Sequence, residues 1–266
     1  MWTYQHAGFR VHQLPALKDN YIYLIEADNG ELFAAVDPAE ALPVAHACSR
    51  FERPLTHIFN THHHWDHTGG NLELKGQFGC TIVGAADDAE RIPGIDEGVG
   101  EGNPPQLAEP LDGLDIRVLS VHGHTMGHIA YLVGDALFCG DTLFGGGCGR
   151  VFEGTMGEMW AALAKLAKLP ADTKVYCAHE YTLANLRFAR DIDPDNEALR
   201  QRISEDTQTR MEQQPTIPST IGLELATNPF LRVLDAGFRA AYAAKHGITA
   251  EPVAVFTHIR ESKDRW

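Results

Sequence analysis

Over residues 1–170 the apolar positions fall in short β-branched or aromatic runs: Phe9–Leu14, Tyr21–Glu26, Leu32–Asp37, His57–Thr61, Cys80–Gly84, Ile116–Val121, Ile129–Val133 and Ala136–Gly140. Gly, Asp, Asn or Pro punctuates most of them, the pattern of strands and turns. Two helices interrupt: Ala41–Glu52, stopped by Pro54, and a short one after Asp66. The Gly- and Pro-rich stretch Pro93–Pro110 reads as a long loop, a feature that compact domains reserve for function or mobility. Beyond Gly154 the period changes. Thr155-Met156-Gly157-Glu158 fits a capping box that opens an amphipathic helix through Leu169. A strand over Lys174–Ala178 follows, then mainly helix: Leu183–Asp191, Asn196–Gln213 and Val233–His246, with Pro215 and Pro218 breaking the last two apart. A β-rich first part and a helical second part are expected, with no internal repeat.

Composition narrows the classes. The chain has 266 residues, 44% hydrophobic and 22% charged, enough for one large domain or two unequal ones. No apolar run approaches the roughly 20 residues that span a bilayer. The N-terminal MWTYQHAGFRVHQLP has no basic region followed by an apolar stretch, so no secretory signal is read there and a cytoplasmic setting is expected. A net charge of −14 repels a polyanion, which excludes nucleic acid as the main partner. A small anion remains acceptable where a few cations gather. The five cysteines are scattered and form no CxxC pair, so neither a disulfide framework nor a thiolate metal site is indicated. They read as reduced, buried residues; Cys148, between glycines, is kept open as a thiol.

The candidate chemistry is concentrated in Thr61-His62-His63-His64-Trp65-Asp66-His67. Imidazole and carboxylate are ligands of borderline metals such as zinc. In an extended segment His62, His64 and Asp66 share a side while His63 faces away, and His67 follows where the chain turns. Four such donors exceed the need of one open catalytic metal and suggest two neighbouring ions. Further donors stand at strand ends: His124 after Ile116–Val121, Asp141 after Ala136–Gly140, and His179 after Val175–Ala178. An Asp can bridge two cations with its two oxygens, and Asp141 is the candidate. His63 and Trp65 are expected to pack against the core, and His128 to orient a ligand or pack ordinarily. His6, His12, His46, His57, His246 and His258 are read as structural or surface residues. The Gly145–Gly149 run lacks the GK[ST] ending of a phosphate loop and reads instead as backbone that a substrate approaches closely.

HxHxDH, a single His, Asp and His in this order resemble the metallo-β-lactamase superfamily. The resemblance implies an α/β fold, an αββα sandwich, here with a C-terminal helical domain. Residues 1–179 would form the metal-binding catalytic domain and residues 180–266 the substrate-binding one. It implies two divalent metals per chain, zinc first, with iron or manganese as alternatives. His62, His64 and His124 would hold one, and Asp66, His67 and His179 the other. Asp141 and a bridging hydroxide would lie between them, with Asp66 and Asp141 the catalytic carboxylates. Narrower strings resemble glyoxalase II, the hydroxyacylglutathione hydrolases: Gly147-Cys148-Gly149-Arg150-Val151-Phe152-Glu153-Gly154-Thr155, His179-Glu180-Tyr181-Thr182 with Asn185, Asn228-Pro229-Phe230-Leu231-Arg232, and Arg260-Glu261-Ser262-Lys263-Asp264. That resemblance implies a thioesterase that takes S-D-lactoylglutathione to D-lactate and glutathione, the second step of methylglyoxal detoxification; a monomeric or weakly associating chain is expected. Arg150, Phe152, Tyr181, Asn185, Arg260 and Lys263 would bind the substrate. Phe152 stands where some members carry Tyr, Arg150 where others carry Lys, and His122 where Pro is expected. No GxSxG or other nucleophile motif is present. A glutathione persulfide dioxygenase, another superfamily hydrolase, and a non-catalytic metal-binding scaffold remain as alternatives.

Overall fold

A computed structural model describes residues 1–106 and 115–266. The chain divides into two units, residues 1–120 with 127–140 and residues 121–126 with 141–266.

In the first unit β1 (Trp2–His6), β2 (Phe9–Ala16), β3 (Asn20–Ala27) and β4 (Phe33–Val36) form an antiparallel meander. The direction then changes. β5 (His57–Phe59), β6 (Thr81–Ala85) and β7 (Glu97–Val99) add on in parallel, giving the seven-stranded order β1 to β7. Parallel neighbours need crossovers, and helices supply two of them. α1 (Ala41–Phe51) joins β4 to β5; α2 (Trp65–Thr68) and α3 (Asn71–Phe78) join β5 to β6. Leu24, Phe33 and Ile58 of the sheet pack with Val44 of α1 and Leu74 of α3 in one buried cluster. The other face meets a second sheet, in which β9 (Ile129–Val133) pairs with both β8 (Ile116–Ser120) and β10 (Ala136–Gly140). Phe59 stacks on Tyr131 at 5.1 Å, and Tyr23 meets Phe138 at 5.6 Å. β3 and β4 are therefore covered on both sides, which is why YIYLI and FAAV are continuous apolar runs instead of alternating ones.

The second unit holds the two-residue strands β11 (Leu143–Phe144) and β12 (Gly147–Cys148), then α4 (Met156–Leu166), β13 (Lys174–Cys177), α5 (Thr182–Ile192), α6 (Glu197–Met211), β14 (Ser219–Thr220), α7 (Ile221–Thr227), α8 (Pro229–Arg232), α9 (Ala236–His246) and α10 (Pro252–Arg265). The capping box of α4 is present: the Thr155 hydroxyl accepts from Glu158 N, and the Glu158 carboxylate accepts from Thr155 N.

Several expectations need correction. β1 was not foreseen. Pro93–Pro110 is not all loop: β7 lies within it, too short to show a period, and residues 107–110 fall outside the described ones. The predicted Val233–His246 helix begins at Ala236, because Asp235 accepts from Phe238 N and caps it there. The charged C-terminal stretch is helix α10, opened by Pro252 at its first turn.

Candidate metal centre and substrate pocket

In the first unit β5 stops at Phe59, and the chain leaves the sheet edge through Asn60 and Thr61. The segment is not extended through Asp66 as expected. His67 N and Thr68 N both donate to His64 O, at 2.9 and 3.2 Å, so the chain coils at Trp65 and Asp66 falls in the first turn of α2. His62 Nε2 faces His64 Nδ1 at 2.9 Å. His67 Nε2 lies 3.7 Å from Asp66 Oδ2, and the His62 and His67 ring centroids are 4.0 Å apart.

A residue that the sequence reading took only as a strand end organises this loop. Asp37, 4% exposed, accepts from Thr61 N at 2.7 Å, Thr61 Oγ1 at 2.7 Å and His67 Nδ1 at 3.0 Å. With its proton given to Asp37, the Thr61 hydroxyl accepts from His62 Nδ1 at 3.0 Å. Both rings thus carry hydrogen on Nδ1 and a lone pair on Nε2, the tautomer of a metal-ligating imidazole held from behind by oxygen. Asp37 sits at φ 49°, a left-handed conformation that a non-glycine residue keeps only when its surroundings enforce it. Asp37, His62 and His67 put their donor atoms within 4.8 Å of one another, but the three bonds on Asp37 make it a support for the other two. Asn20, also missed, donates to Asp66 O at 3.1 Å and Asp66 Oδ2 at 3.3 Å. The signal for Asp37 was available: an apolar strand ending in Asp, as at Asp141.

His63 turns to Asp88, Nδ1 to Oδ2 at 2.9 Å. Trp65 corrects an expectation: it is 71% exposed and does not pack into the core. His128 is buried, stacks on His62 at 4.5 Å, and bonds Ile129 O through Nδ1 at 3.1 Å.

In the second unit Asp141 presents one oxygen to each of two imidazoles. Its Oδ2 lies 3.4 Å from His124 Nε2, and its Oδ1 lies 3.4 Å from His179 Nε2. His124 Nδ1 donates to Arg150 O at 2.8 Å, which again leaves the lone pair on Nε2. The His179 ring lies flat on Tyr181, with centroids 4.7 Å apart. A Cβ at Gly149 would collide with the Asp141 carbonyl, so only glycine fits there. Imidazoles anchored through one nitrogen, together with carboxylates, form a donor set that suits borderline divalent metals.

Within the same unit His124 and Asp141 line a cavity of ≈ 470 Å³ together with Arg150, Phe152, Tyr181, Asn185, Arg260 and Lys263. Arg260 is only 3% exposed. It donates to Cys148 O at 2.9 Å and to Asp264 Oδ1 at 3.0 Å, and lies over the Phe230 ring at 5.1 Å. Its Nε has no acceptor among the described residues. Lys263 Nζ sits over Phe188 and Trp266, at 4.9 and 4.4 Å from the ring centroids. Burial first, then the charges of Arg260 and Arg187, push its ammonium down to about 8. Arg150 is mostly exposed, and Phe152 leans on the His124 ring at 5.0 Å. Burial pushes the Cys148 thiol up to about 11, so it stays protonated at neutral pH and is a poor nucleophile. All five cysteines are buried, and no disulfide links them.

The comparisons with known proteins match this arrangement. Residues 22–179 match the metallo-β-lactamase superfamily and residues 180–266 the hydroxyacylglutathione hydrolase C-terminus. The hydroxyacylglutathione hydrolase of Rhodospirillum rubrum is 49% identical over 96% of this chain and 98% of its own. That of Methylococcus capsulatus is 51% identical over 95% of this chain and 96% of its own. The crystal structure of ETHE1 from Myxococcus xanthus aligns with a TM-score of 0.66 at 25% identity, covering 94% of this chain and 89% of that one. The fold is therefore the α/β metallo-β-lactamase fold with a C-terminal helical region. With relatives near half identity over almost its whole length and both family models matched, the chain belongs to the hydroxyacylglutathione hydrolase family.

Proposed function

We propose that the chain hydrolyses hydroxyacylglutathione thioesters, S-D-lactoylglutathione first among them, to the free hydroxy acid and glutathione. The observation that carries this reading is the second-unit cavity, in which the Arg260 and Lys263 cations share one space with His124 and Asp141. The match of residues 180–266 to the hydroxyacylglutathione hydrolase C-terminus favours it over a dioxygenase or a scaffold. We assign residues 1–179 to catalysis and residues 180–266 to substrate binding.

His62, His64 and His124 would hold one divalent metal, Asp66, His67 and His179 a second, and Asp141 would serve both. When bound, two such ions supply Lewis acidity and a water that ionises near neutral pH. Zinc suits the donors, with iron and manganese as alternatives.

The chain's own residues do the rest. Asp37 and Thr61 fix the tautomers of His67 and His62, and the Arg150 carbonyl fixes that of His124. Arg260 offers its Nε, and Lys263 a point charge, to the carboxylates of the tripeptide. Tyr181, Asn185, Arg150 and the backbone near Phe152 add hydrogen bonds along the cavity. The reaction adds one water across the acyl C–S bond: oxygen goes to the carbonyl carbon, the C–S bond breaks, and the sulfur leaves as thiolate and takes up a proton. Thiolate leaves readily, so no strong general acid is needed, and the protonated Cys148 is not used.

No helix among the described residues is long and apolar enough to cross a membrane. A cytoplasmic setting, a monomeric state and a role in methylglyoxal detoxification belong to this proposal. Its test is hydrolysis of S-D-lactoylglutathione by zinc-loaded protein; absence of thioester cleavage by folded, metal-loaded chain overturns it.

A further inference from the structure

β11 and β12 pair only through Leu143↔Cys148 and Phe144↔Gly147, joined by Gly145-Gly146 with Gly146 at φ 64°. A ladder this short does not hold its own shape. Yet Phe144, Cys148 and Gly149 of this hairpin form one side of the substrate cavity.

Side chains of the same unit hold it instead. Glu224 Oε2 accepts from Gly146 N at 2.9 Å. Asn228 Nδ2 donates to Gly147 O at 2.8 Å, to Phe144 O at 3.3 Å, and to Glu224 Oε2 at 3.0 Å. Asn185 Nδ2 donates to Gly145 O at 3.1 Å. Glu224 is 0% exposed, and its other oxygen receives Arg202 Nη2 at 2.7 Å and the Ser219 hydroxyl. Arg202, 2% exposed, also donates to Thr227 Oγ1 at 2.6 Å and Asp206 Oδ2 at 3.2 Å. A buried ion pair contributes little net stability compared with apolar residues of the same volume, so stability alone does not account for it. What the pair does is present a fixed carboxylate to the Gly146 N–H and the Asn228 amide, which hold the hairpin whose Phe144, Cys148 and Gly149 line the cavity.

We propose that Glu224 and Asn228 are positioning residues for substrate: they lock the Gly145–Gly149 hairpin so that its backbone forms the rigid wall against which the glutathione moiety seats. The inference rests on the hydrolase reading above for the identity of that ligand. Preorganisation of this kind acts on binding, through KM, more than on the bond-breaking step.

Glu224→Gln tests it. The Arg202 charge draws the amide oxygen to itself, which turns the NH₂ group onto the Gly146 N–H and the Asn228 amide, donor against donor. Wild type and variant, both zinc-loaded, are compared in KM and kcat for S-D-lactoylglutathione and in the calorimetric Kd of S-hexylglutathione, a thioether without a hydrolysable acyl bond. The expected result is a rise of about tenfold in both KM and Kd, with kcat changed by less than about threefold. Asn228→Ser covers the case in which the first variant does not fold. Serine keeps the oxygen that caps α8 but removes the amide donors to Phe144 O and Gly147 O, and the same rise is expected. Unchanged KM and Kd in folded variants, or a fall in kcat at constant KM, overturns the inference. A wild type that binds S-hexylglutathione but cleaves no thioester overturns the hydrolase reading instead, while the Kd comparison still decides the role of the hairpin.

Discussion

The charge on Lys263 should set the upper pH limit of substrate binding. Its ammonium titrates near 8 because it is partly buried and faces Arg260 and Arg187. If only the charged form holds the tripeptide carboxylate, the apparent dissociation constant is the intrinsic one divided by the charged fraction. That fraction is roughly 90% at pH ~7 and roughly 10% at pH ~9, so KM should climb about tenfold across this window. The stability linkage runs the other way. The folded pKa lies below the unfolded value of 10.5, so between about 8 and 10.5 the unfolded chain binds more protons, and the contribution of Lys263 to stability grows as pH rises. Loss of binding above pH ~8 therefore cannot be assigned to unfolding driven by this group. The assay is KM for S-D-lactoylglutathione, with the Kd of S-hexylglutathione beside it, at half-unit steps from pH ~6.5 to ~9.5. Lys263→Arg keeps its charge throughout and should flatten both profiles. A flat wild-type profile refutes the reasoning, and so does a rise that survives in Lys263→Arg.

Two further outcomes concern the proposed metal ligand Asp141 and the supporting carboxylate of Asp37. Asp141→Asn should lower activity at least ~10²-fold and reduce metal content from about two ions per chain, by metal analysis and the thioester assay; an active variant with unchanged metal content removes the shared role of Asp141. Asp37→Asn replaces with an amide the carboxylate that holds Thr61 and His67, and metal affinity measured by competition with a chromophoric chelator should fall 10- to 100-fold. An unchanged affinity would show that the loop holds its shape without that carboxylate.

The candidate site could be proposed from sequence because its chemistry is local. His62, His64, Asp66 and His67 fall within one short segment, and His124, Asp141 and His179 each follow an apolar run, so strand ends could be read directly. The coil at Trp65 was not legible: it depends on His64 O receiving two backbone N–H groups, and the alternation rule extended the strand too far. Asp37 carries the same local sign as Asp141, an apolar strand ending in Asp, but its role comes from Thr61 and His67, 24 and 30 residues away, and that sign does not name such partners. In the helical part, Asp235 and Pro252 were ordinary start signals, but only the structure showed where each helix begins. β1 and β7 are pairing partners more than patterns: each is short, and each is defined by the neighbour it adds to. Arg202 lies in α6, whose sequence reads as an ordinary polar surface, and Glu224 in the short, mostly apolar α7, so no local pattern joins the pair.

The most direct test is the stoichiometry of the reaction under anaerobic conditions. Zinc-loaded protein is given S-D-lactoylglutathione, and thiol, D-lactate and bound metal are measured together. Protein carrying about two metals per chain should release one thiol and one D-lactate for each thioester consumed, with no requirement for oxygen. Folded protein that carries its metals and releases neither product, or that turns over a glutathione derivative only when oxygen is supplied, would contradict the account.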